Sequence, residues 1–181
     1  MTVCLPSVPI FCRLLFRALF VYKVERVTTV YSVTEDRILL SAEVMCGGSH
    51  KLWLTLRLLQ RLVPVLLRTC NAGEQGHSIS MAEQVFKQEK AKGELTRQPS
   101  VRVDEHSPEF LVNEVSFSAA EGITLIFKSP GADQHALYLA ATPLRQWLGI
   151  LCQHYESAGW PMAVWPQWIR EQGPATGVAL H

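Results

Sequence analysis

The sequence has almost no net charge. Its 17 lysine and arginine residues are balanced by 16 aspartate and glutamate residues, which gives a formal net charge of +1 at pH 7. Such a chain has no overall field that attracts nucleic acid, an anionic membrane or acidic substrates, so any such binding needs a local patch. Charged residues make up 18% of the chain and hydrophobic residues 48%, a composition that predicts a folded protein. Its 181 residues suffice for one globular domain, or for two small units that share a core.

The cysteines lack the spacing of a disulfide framework. There are five, and no two of them form a C-x-x-C motif: Cys4, Cys12, Cys46, Cys70 and Cys152. An odd number without framework spacing is typical of reduced thiols. Because reduced thiols are typical of the cytosol, we predict a cytoplasmic protein.

The apolar N-terminal stretch fits neither a secretion signal nor a membrane span. No basic region precedes "VCLPSVPIFCRLLFRALFVY", two prolines interrupt it early, and Arg13 and Arg17 break the apolar run. We therefore predict no membrane span. Three interpretations of residues 1–22 stay open. They are an appended apolar helix from about Ile10 to Tyr22, an interfacial anchor, and a start codon assigned too far upstream.

Motifs of covalent catalysis and of phosphate binding are also missing. No G-x-S-x-G occurs, and "CGGSHK" has neither the P-loop spacing nor its following Ser or Thr. Cys152 and His154 lie in one predicted helix, where side chains at this spacing point to different faces. Nothing in the sequence indicates that any two of the acidic residues in the predicted turns and linker come together in one site. These residues are Glu35, Asp36, Asp104, Glu105 and Glu121. We expect no catalytic residues and no cofactor.

One hydrophobic pattern occurs twice in the chain. Residues 27–70 align without a gap onto residues 112–155, at a constant offset of 85. The alignment places His50 on His135 and Trp53 on Tyr138. The two copies agree in the positions of their turns as well as in residue identity: a polar turn and a glycine-bearing turn occur at the same places in both.

Each copy predicts three strands and a helix. An extended segment is followed by a polar turn at 34–37 or 119–122, a strand of period two, a turn in "CGGS" or "SPGADQ", a short strand and a helix. The predicted fold is α+β, with duplicated β-β-β-α units, antiparallel sheets packed on helices, and pseudo-two-fold internal symmetry. The predicted boundaries are an N-terminal segment 1–22, a first unit 23–72, a linker 73–110, a second unit 111–158 and a C-terminal tail 159–181.

The predicted helix starts differ slightly between the copies. Thr55 is the expected N-cap of the first helix, while the second is expected to use Thr142 as N-cap and Pro143 as its first helical residue. The second helix should bury Leu144, Trp147, Leu148, Leu151 and Tyr155, and Gly149 should allow a close approach.

The first helix is apolar over most of its circumference. Its polar residues form one narrow stripe: Arg57, Gln60, Arg61, Pro64 and Arg68. So wide an apolar arc needs more than one covering surface, and an exposed apolar patch commonly marks an interface. The candidate interface residues are Leu56, Leu59, Leu62, Val63, Leu66, Trp147 and Leu151. The alternative to an interface is that the N-terminal segment or the C-terminal tail of the same chain covers the apolar arc of the first helix.

The linker and the tail have their own signals. "SMAE" at Ser80–Glu83 is a capping box that should open a short helix ending near Lys92, and "TRQPSVRVDEHSPE" should be an exposed tether. "AGWPMAVWPQWI" brings three tryptophans between and around two prolines. We predict that this tail wraps the body and completes its core; the alternative is a ligand for another protein.

The first predicted hairpin and the matching hairpin of the second copy contain residues that could bind a metal. Cys46 and His50 flank Gly47 and Gly48, and His135 matches His50. Zinc needs four converging ligands, and the C-x3-H spacing here and the C-x-H spacing at Cys152 specify little. The two hairpin turns can also lie far apart. The prediction is a hairpin connection in which the glycines supply positive φ, without a metal.

Nucleic acid is the main alternative partner. In layout, duplicated strand-rich units each closed by a helix resemble the Whirly class of single-strand-binding proteins, which has four strands per unit where this sequence predicts three. Binding would use Lys51, Trp53, Arg57, Arg61, Arg68 and Tyr138. The arginine stripe is more typical of a solvated helix face. The sequence therefore favours a non-enzymatic protein-interaction or assembly module, homodimeric or with a protein partner, over nucleic-acid binding.

Overall fold

The first half of the chain forms three strands and a long helix. The structure, a computed structural model, describes residues 20–71, 80–96 and 98–170. Its first elements are β1 (Val21–Ser32), β2 (Arg37–Val44), β3 (Ser49–Leu54) and α1 (Leu56–Asn71). The predicted polar turn and the glycine turn separate these strands, and Gly47 and Gly48 have φ of +88° and +92°. The hairpin prediction is confirmed: β2 and β3 pair in antiparallel fashion on either side of this turn. Both glycines have a positive φ, which glycine adopts without strain.

The second half repeats this order after a helix and a short strand. The linker forms α2 (Met81–Gly93) and β4 (Glu109–Leu111). Then follow β5 (Glu114–Ala119), β6 (Ile123–Lys128), β7 (Gln134–Leu139) and α3 (Ala141–Ser157). A 3-10 turn (Met162–Val164) and α4 (Gln167–Arg170) end the described chain. The predicted element order β-β-β-α is therefore present in both segments.

The described strands form one mixed sheet, so the prediction of antiparallel sheets is wrong. The strand order is β4-β3-β2-β1-β7-β6-β5. Neighbours within each half are antiparallel, but β1 pairs with β7 and β3 pairs with β4 in parallel. Equivalent strands consequently run in the same direction and in the same order, which excludes a two-fold axis normal to the sheet. Duplication of the two units stays a prediction.

The two faces of the sheet differ in what covers them. Alternate residues of the strands point to one face and join the core: Ile38, Leu40, Ala42, Val44, Leu52, Leu54, Ile123, Leu125, Phe127, Leu137 and Leu139. Helices α1 and α3 pack on this inner face. We call the opposite side, against which neither helix packs, the open face.

The apolar arc of α1 belongs to the core of the single chain. Leu59, Leu62, Val63, Leu66 and Leu67 are all buried, and Leu56 is partly buried against the same core. Trp147 and Leu151 of α3 are buried there too. The interface hypothesis for these residues is therefore replaced by a core role. The inner face of the sheet, α3 and the C-terminal tail together cover the apolar arc of α1.

The tail completes this core within the described residues. Trp160, Trp165, Trp168 and Ile169 are each at least nine-tenths buried. The Trp160 ring meets Tyr155 edge-on at a centroid distance of 5.1 Å, in the geometry that aromatic pairs prefer. The prediction that the tail wraps the body is confirmed, while residues 171–181 lie outside the described residues.

Two of the predicted helix starts are confirmed and one is wrong. Thr55 Oγ1 accepts a hydrogen bond from Leu58 N, and Ser80 Oγ accepts one from Glu83 N. The second long helix begins at Ala141 instead, and its N-cap Ala140 makes no side-chain hydrogen bond. Thr142 and Pro143 lie inside the first turn, where proline costs no intrahelical hydrogen bond.

The predicted exposed tether is partly packed on the open face. Val101 is 6% exposed, and its backbone N donates to Thr28 Oγ1 of β1 at 2.8 Å. Strand β4, which extends the sheet beside β3, begins at the last residue of this segment, Glu109. The sequence predicts neither the burial of Val101 nor strand β4, because both depend on contacts with residues that are distant in the chain.

The N-terminal interpretations largely fall outside the described residues. Val21 and Tyr22 are in β1, so a helix from Ile10 does not extend to Tyr22, and residues 1–19 lie outside. No helix in the described part of the chain is long and apolar enough to cross a membrane.

A charge placed in the apolar arc should unfold the protein instead of splitting a dimer. Leu66 is fully buried, so Leu66→Glu should lower the free energy of unfolding by more than about 3 kcal/mol. Arg61→Glu, on the exposed side of the same helix, should change it by less than about 0.5 kcal/mol. Urea denaturation measures both. A folded Leu66→Glu protein with an unchanged midpoint would contradict the core assignment.

Candidate functional site

Two histidines from matching hairpins meet inside the curl of the sheet. His50 lies at the start of β3 and His135 at the start of β7, and His50 Nδ1 is 2.7 Å from His135 Nε2. Strands β2 and β1 lie between them, so a flat sheet would separate them by three strand spacings, about 14 Å. The contact requires the sheet to curl with its inner face concave. The offset of 85 aligned the two residues, but no sequence signal reports the curl.

Aromatic rings enclose the histidine pair. Tyr22 stacks on His135 at a centroid distance of 5.3 Å and meets His50 edge-on at 4.7 Å. Phe110 of β4 closes the other side, at 4.7 Å from His135. His50 is 8% exposed and His135 1%. The pair is therefore shielded from water and from any substrate in solution.

Burial keeps both imidazoles neutral. Burial is the main cause that lowers the pKa of His135 to about 4, and repulsion from a protonated His50 would lower it further. Burial likewise lowers the pKa of His50, against an opposing effect of Asp133. At neutral pH one uncharged ring therefore donates its N–H to the other. Such a pair supports the fold, and its burial is unsuited to proton exchange with a bound substrate.

The other candidate ligands do not join this pair. Cys46 is exposed, and His154 Nε2 lies 3.1 Å from the backbone oxygen of Thr29. Among the described residues no three His, Cys, Asp or Glu side chains are grouped so as to hold a metal ion. Burial raises the pKa of Cys70 to about 11 and that of Cys152 to about 12, so both are neutral thiols at physiological pH. Absence of a metal stays a prediction.

The residues of the nucleic-acid alternative lie on two different surfaces. Arg57, Arg61 and Arg68 are exposed on α1, which packs on the inner face. Lys51 and Trp53 point to the open face, since they alternate with the buried Leu52 and Leu54. Tyr138 is 57% exposed and lies in the other half of the sheet, on β7. The structure therefore does not bring the six residues together.

The positive charge of Lys51 on the open face is compensated within the chain. Lys51 Nζ lies 2.6 Å from Glu109 Oε1, and Trp53 Nε1 donates to Glu109 Oε2 at 3.4 Å. The hydrogen bond from Lys51 is the main cause that lowers the pKa of Glu109. A phosphate approaching Trp53 would therefore meet a carboxylate beside the ammonium group.

An apolar row crosses four strands of the open face. The cross-strand neighbours are Val30 with Leu39, Leu39 with Trp53, and Trp53 with Leu111. Val30 and Leu111, at the two ends, are each 47% exposed. A groove of about 550 Å³ borders Trp53 and Leu111. We refer to these four residues as the apolar row; sequence reasoning missed it because it depends on the register and on β4.

Comparison with known proteins gives no relative. No family model, curated protein or solved structure matches this chain. The resemblance to the Whirly class therefore remains one of layout, with three strands per unit in place of four.

Acid should destabilise the fold through the histidine pair. The pKa of His135 is about 4 when folded against 6.5 when unfolded, so its contribution is complete above pH 6.5 and is lost as the pH falls towards 4. The expected loss is roughly 3 kcal/mol, measured by urea denaturation across this range. His135→Gln should flatten the dependence, whereas His106→Gln, an exposed histidine, should leave it intact. Parallel curves for all three proteins would contradict this.

The arginine stripe should not bind nucleic acid. Fluorescence anisotropy with a labelled single-stranded oligonucleotide should detect no binding by the wild type or by a variant with Arg57, Arg61 and Arg68 all changed to Gln. Wild-type binding that falls steeply with salt and disappears in the variant would support the nucleic-acid alternative.

Proposed function

We propose that this chain is a non-enzymatic interaction module that associates with a second copy of itself through the open face of its sheet. The apolar row is the single observation that carries the proposal. It replaces the helix faces expected from the sequence, because those faces are buried in the core.

The composition of the row suits a contact surface. Trp53 lies near its centre, and tryptophan is among the residue types that dominate binding energy at interfaces. Its neighbours along the row are aliphatic, and the end residues leave about half of their surface to water. Burying such side chains against another apolar surface gives a favourable free energy of roughly 25 cal/mol per Å².

The charges around the row favour a copy of the same chain as partner. Lys51 is paired with Glu109 at 2.6 Å, and Arg37 lies 3.7 Å from Glu35. A surface whose charges are balanced locally does not repel an identical surface. In a symmetric pair each row would meet the partner's row about a two-fold axis, as in most soluble homodimers, with the two sheets about 10 Å apart.

The non-enzymatic part of the proposal rests on the state of the nucleophiles and bases. The histidine pair is buried and neutral, and the thiols of Cys70 and Cys152 are buried with raised pKa values. The free cysteines of the described residues, Cys46, Cys70 and Cys152, support the further proposal of a cytoplasmic location.

A charge at the end of the apolar row should dissociate the dimer without unfolding it. Light scattering over a concentration series should give the wild type twice the chain mass of 20.3 kDa. Val30→Glu should give a single-chain mass with an unchanged circular dichroism spectrum, since Val30 is half exposed.

The matched control is Phe86→Glu. Phe86 is 69% exposed but lies on α2, so this variant should keep the wild-type mass. A wild type that stays monomeric throughout the series, or equal masses for the two variants, would contradict the proposal.

A further inference from the structure

A buried arginine near the start of α3 has no carboxylate paired with it in the part of the chain that the structure describes. Arg145 is 6% exposed. Its Nη2 donates to the backbone oxygen of Cys70 at 3.1 Å and to Gln84 Oε1 at 2.6 Å, and both acceptors are neutral. Among the described residues its Nη1 has no hydrogen-bond partner, and no carboxylate forms an ion pair with it. The guanidinium carbon lies over the Trp168 ring, 5.4 Å from the ring centroid, a contact that offsets only part of the cost of burial. A buried guanidinium normally has an anion against it, because burial without a counter-charge costs several kcal/mol.

A cavity of about 400 Å³ opens beside this arginine. Arg145 forms part of its wall, together with Lys87 and Lys90 of α2. Both lysines form exposed ion pairs along α2, with Glu83 and Glu94 respectively. Such pairs contribute little to stability, so the ammonium groups are free to turn towards a bound anion. The wall itself holds three basic side chains and one acidic side chain, Glu121.

The amino end of α3 faces the same cavity. Ala141 and Thr142 are in its wall, and the N-cap Ala140 offers no side-chain acceptor to their backbone N–H groups. The first turn of a helix of 17 residues carries a partial positive charge that favours anions. The uncapped helix start and Arg145, which has no carboxylate against it among the described residues, border the same cavity, and both favour an anion there.

The remaining wall is apolar. Ala91, Ile123, Leu139 and Leu144 contribute to it. An inorganic anion would leave these side chains against water, whereas the hydrocarbon part of an organic acid would cover them.

We propose that this cavity binds a small organic carboxylate, with its carboxylate held by Arg145 and the start of α3 and its hydrocarbon part against the apolar wall. A planar carboxylate matches the fork of a guanidinium. The site lies on the helix side of the sheet, away from the apolar row, so it does not depend on the proposed self-association.

The test uses octanoate as the probe, with octanamide and inorganic phosphate for comparison. Isothermal titration calorimetry with the full chain should detect octanoate and neither of the other two, because octanamide lacks the charge and phosphate lacks the hydrocarbon. Binding of phosphate without octanoate, equal binding of octanamide, or no binding of octanoate would overturn the proposal.

Variants locate the site. Arg145→Gln should weaken octanoate binding at least tenfold. Because that variant removes a buried side chain, Lys90→Gln at the rim provides a second test and should weaken binding roughly two- to fivefold. Lys92→Gln, on the same helix but outside this cavity wall, is the matched control and should bind like the wild type. Equal binding by the Lys90 and Lys92 variants would overturn the assignment of the site.

Discussion

The parallel pairing of β1 with β7 joins the two halves of the chain into one sheet. It involves four residue pairs, from Val21 with Gln134 to Val24 with Leu137. Beyond them β1 continues in register with β2 alone, after an irregularity between Val24 and Arg26. Without this pairing each half would have its own sheet. With it, α1 and α3 share one concave surface.

The curl that follows makes the two faces of the sheet unequal. The concave inner face brings His50 against His135 and holds the wide apolar arc of α1, α3 and the tryptophans of the tail. The segment around Val101 covers part of the open face. The apolar row beside it remains exposed at both ends, and this difference between the faces is the basis of the proposed association.

Local features of the fold could be predicted from the sequence, and contacts between distant segments could not. The period-two strands, the glycines at the hairpin and the caps Thr55 and Ser80 are local signals, and all are confirmed. Strand β4 and the parallel junction depend on pairing between remote residues, and the hydrophobic pattern of one strand does not identify the strand with which it pairs.

The same distinction explains the candidate sites. The hydrophobic pattern of α1 indicated that its apolar arc is covered by other residues. A pattern cannot identify the surface that covers it, and for this reason the arc was predicted to be an interface. The apolar row needs the register of four strands. Arg145 has no signal in the sequence, since an arginine in an amphipathic helix is normally solvated.

The proposed association places the open faces of two copies of the chain against each other. ¹⁹F NMR of protein labelled with fluorotryptophan tests it directly, because the chain has five tryptophans and only Trp53 lies in the apolar row. On dilution, the Trp53 resonance should shift between two limits while those of Trp147, Trp160, Trp165 and Trp168, which are buried in the core, stay fixed. A Trp53 resonance that is independent of concentration, while another tryptophan shifts, would contradict the claim.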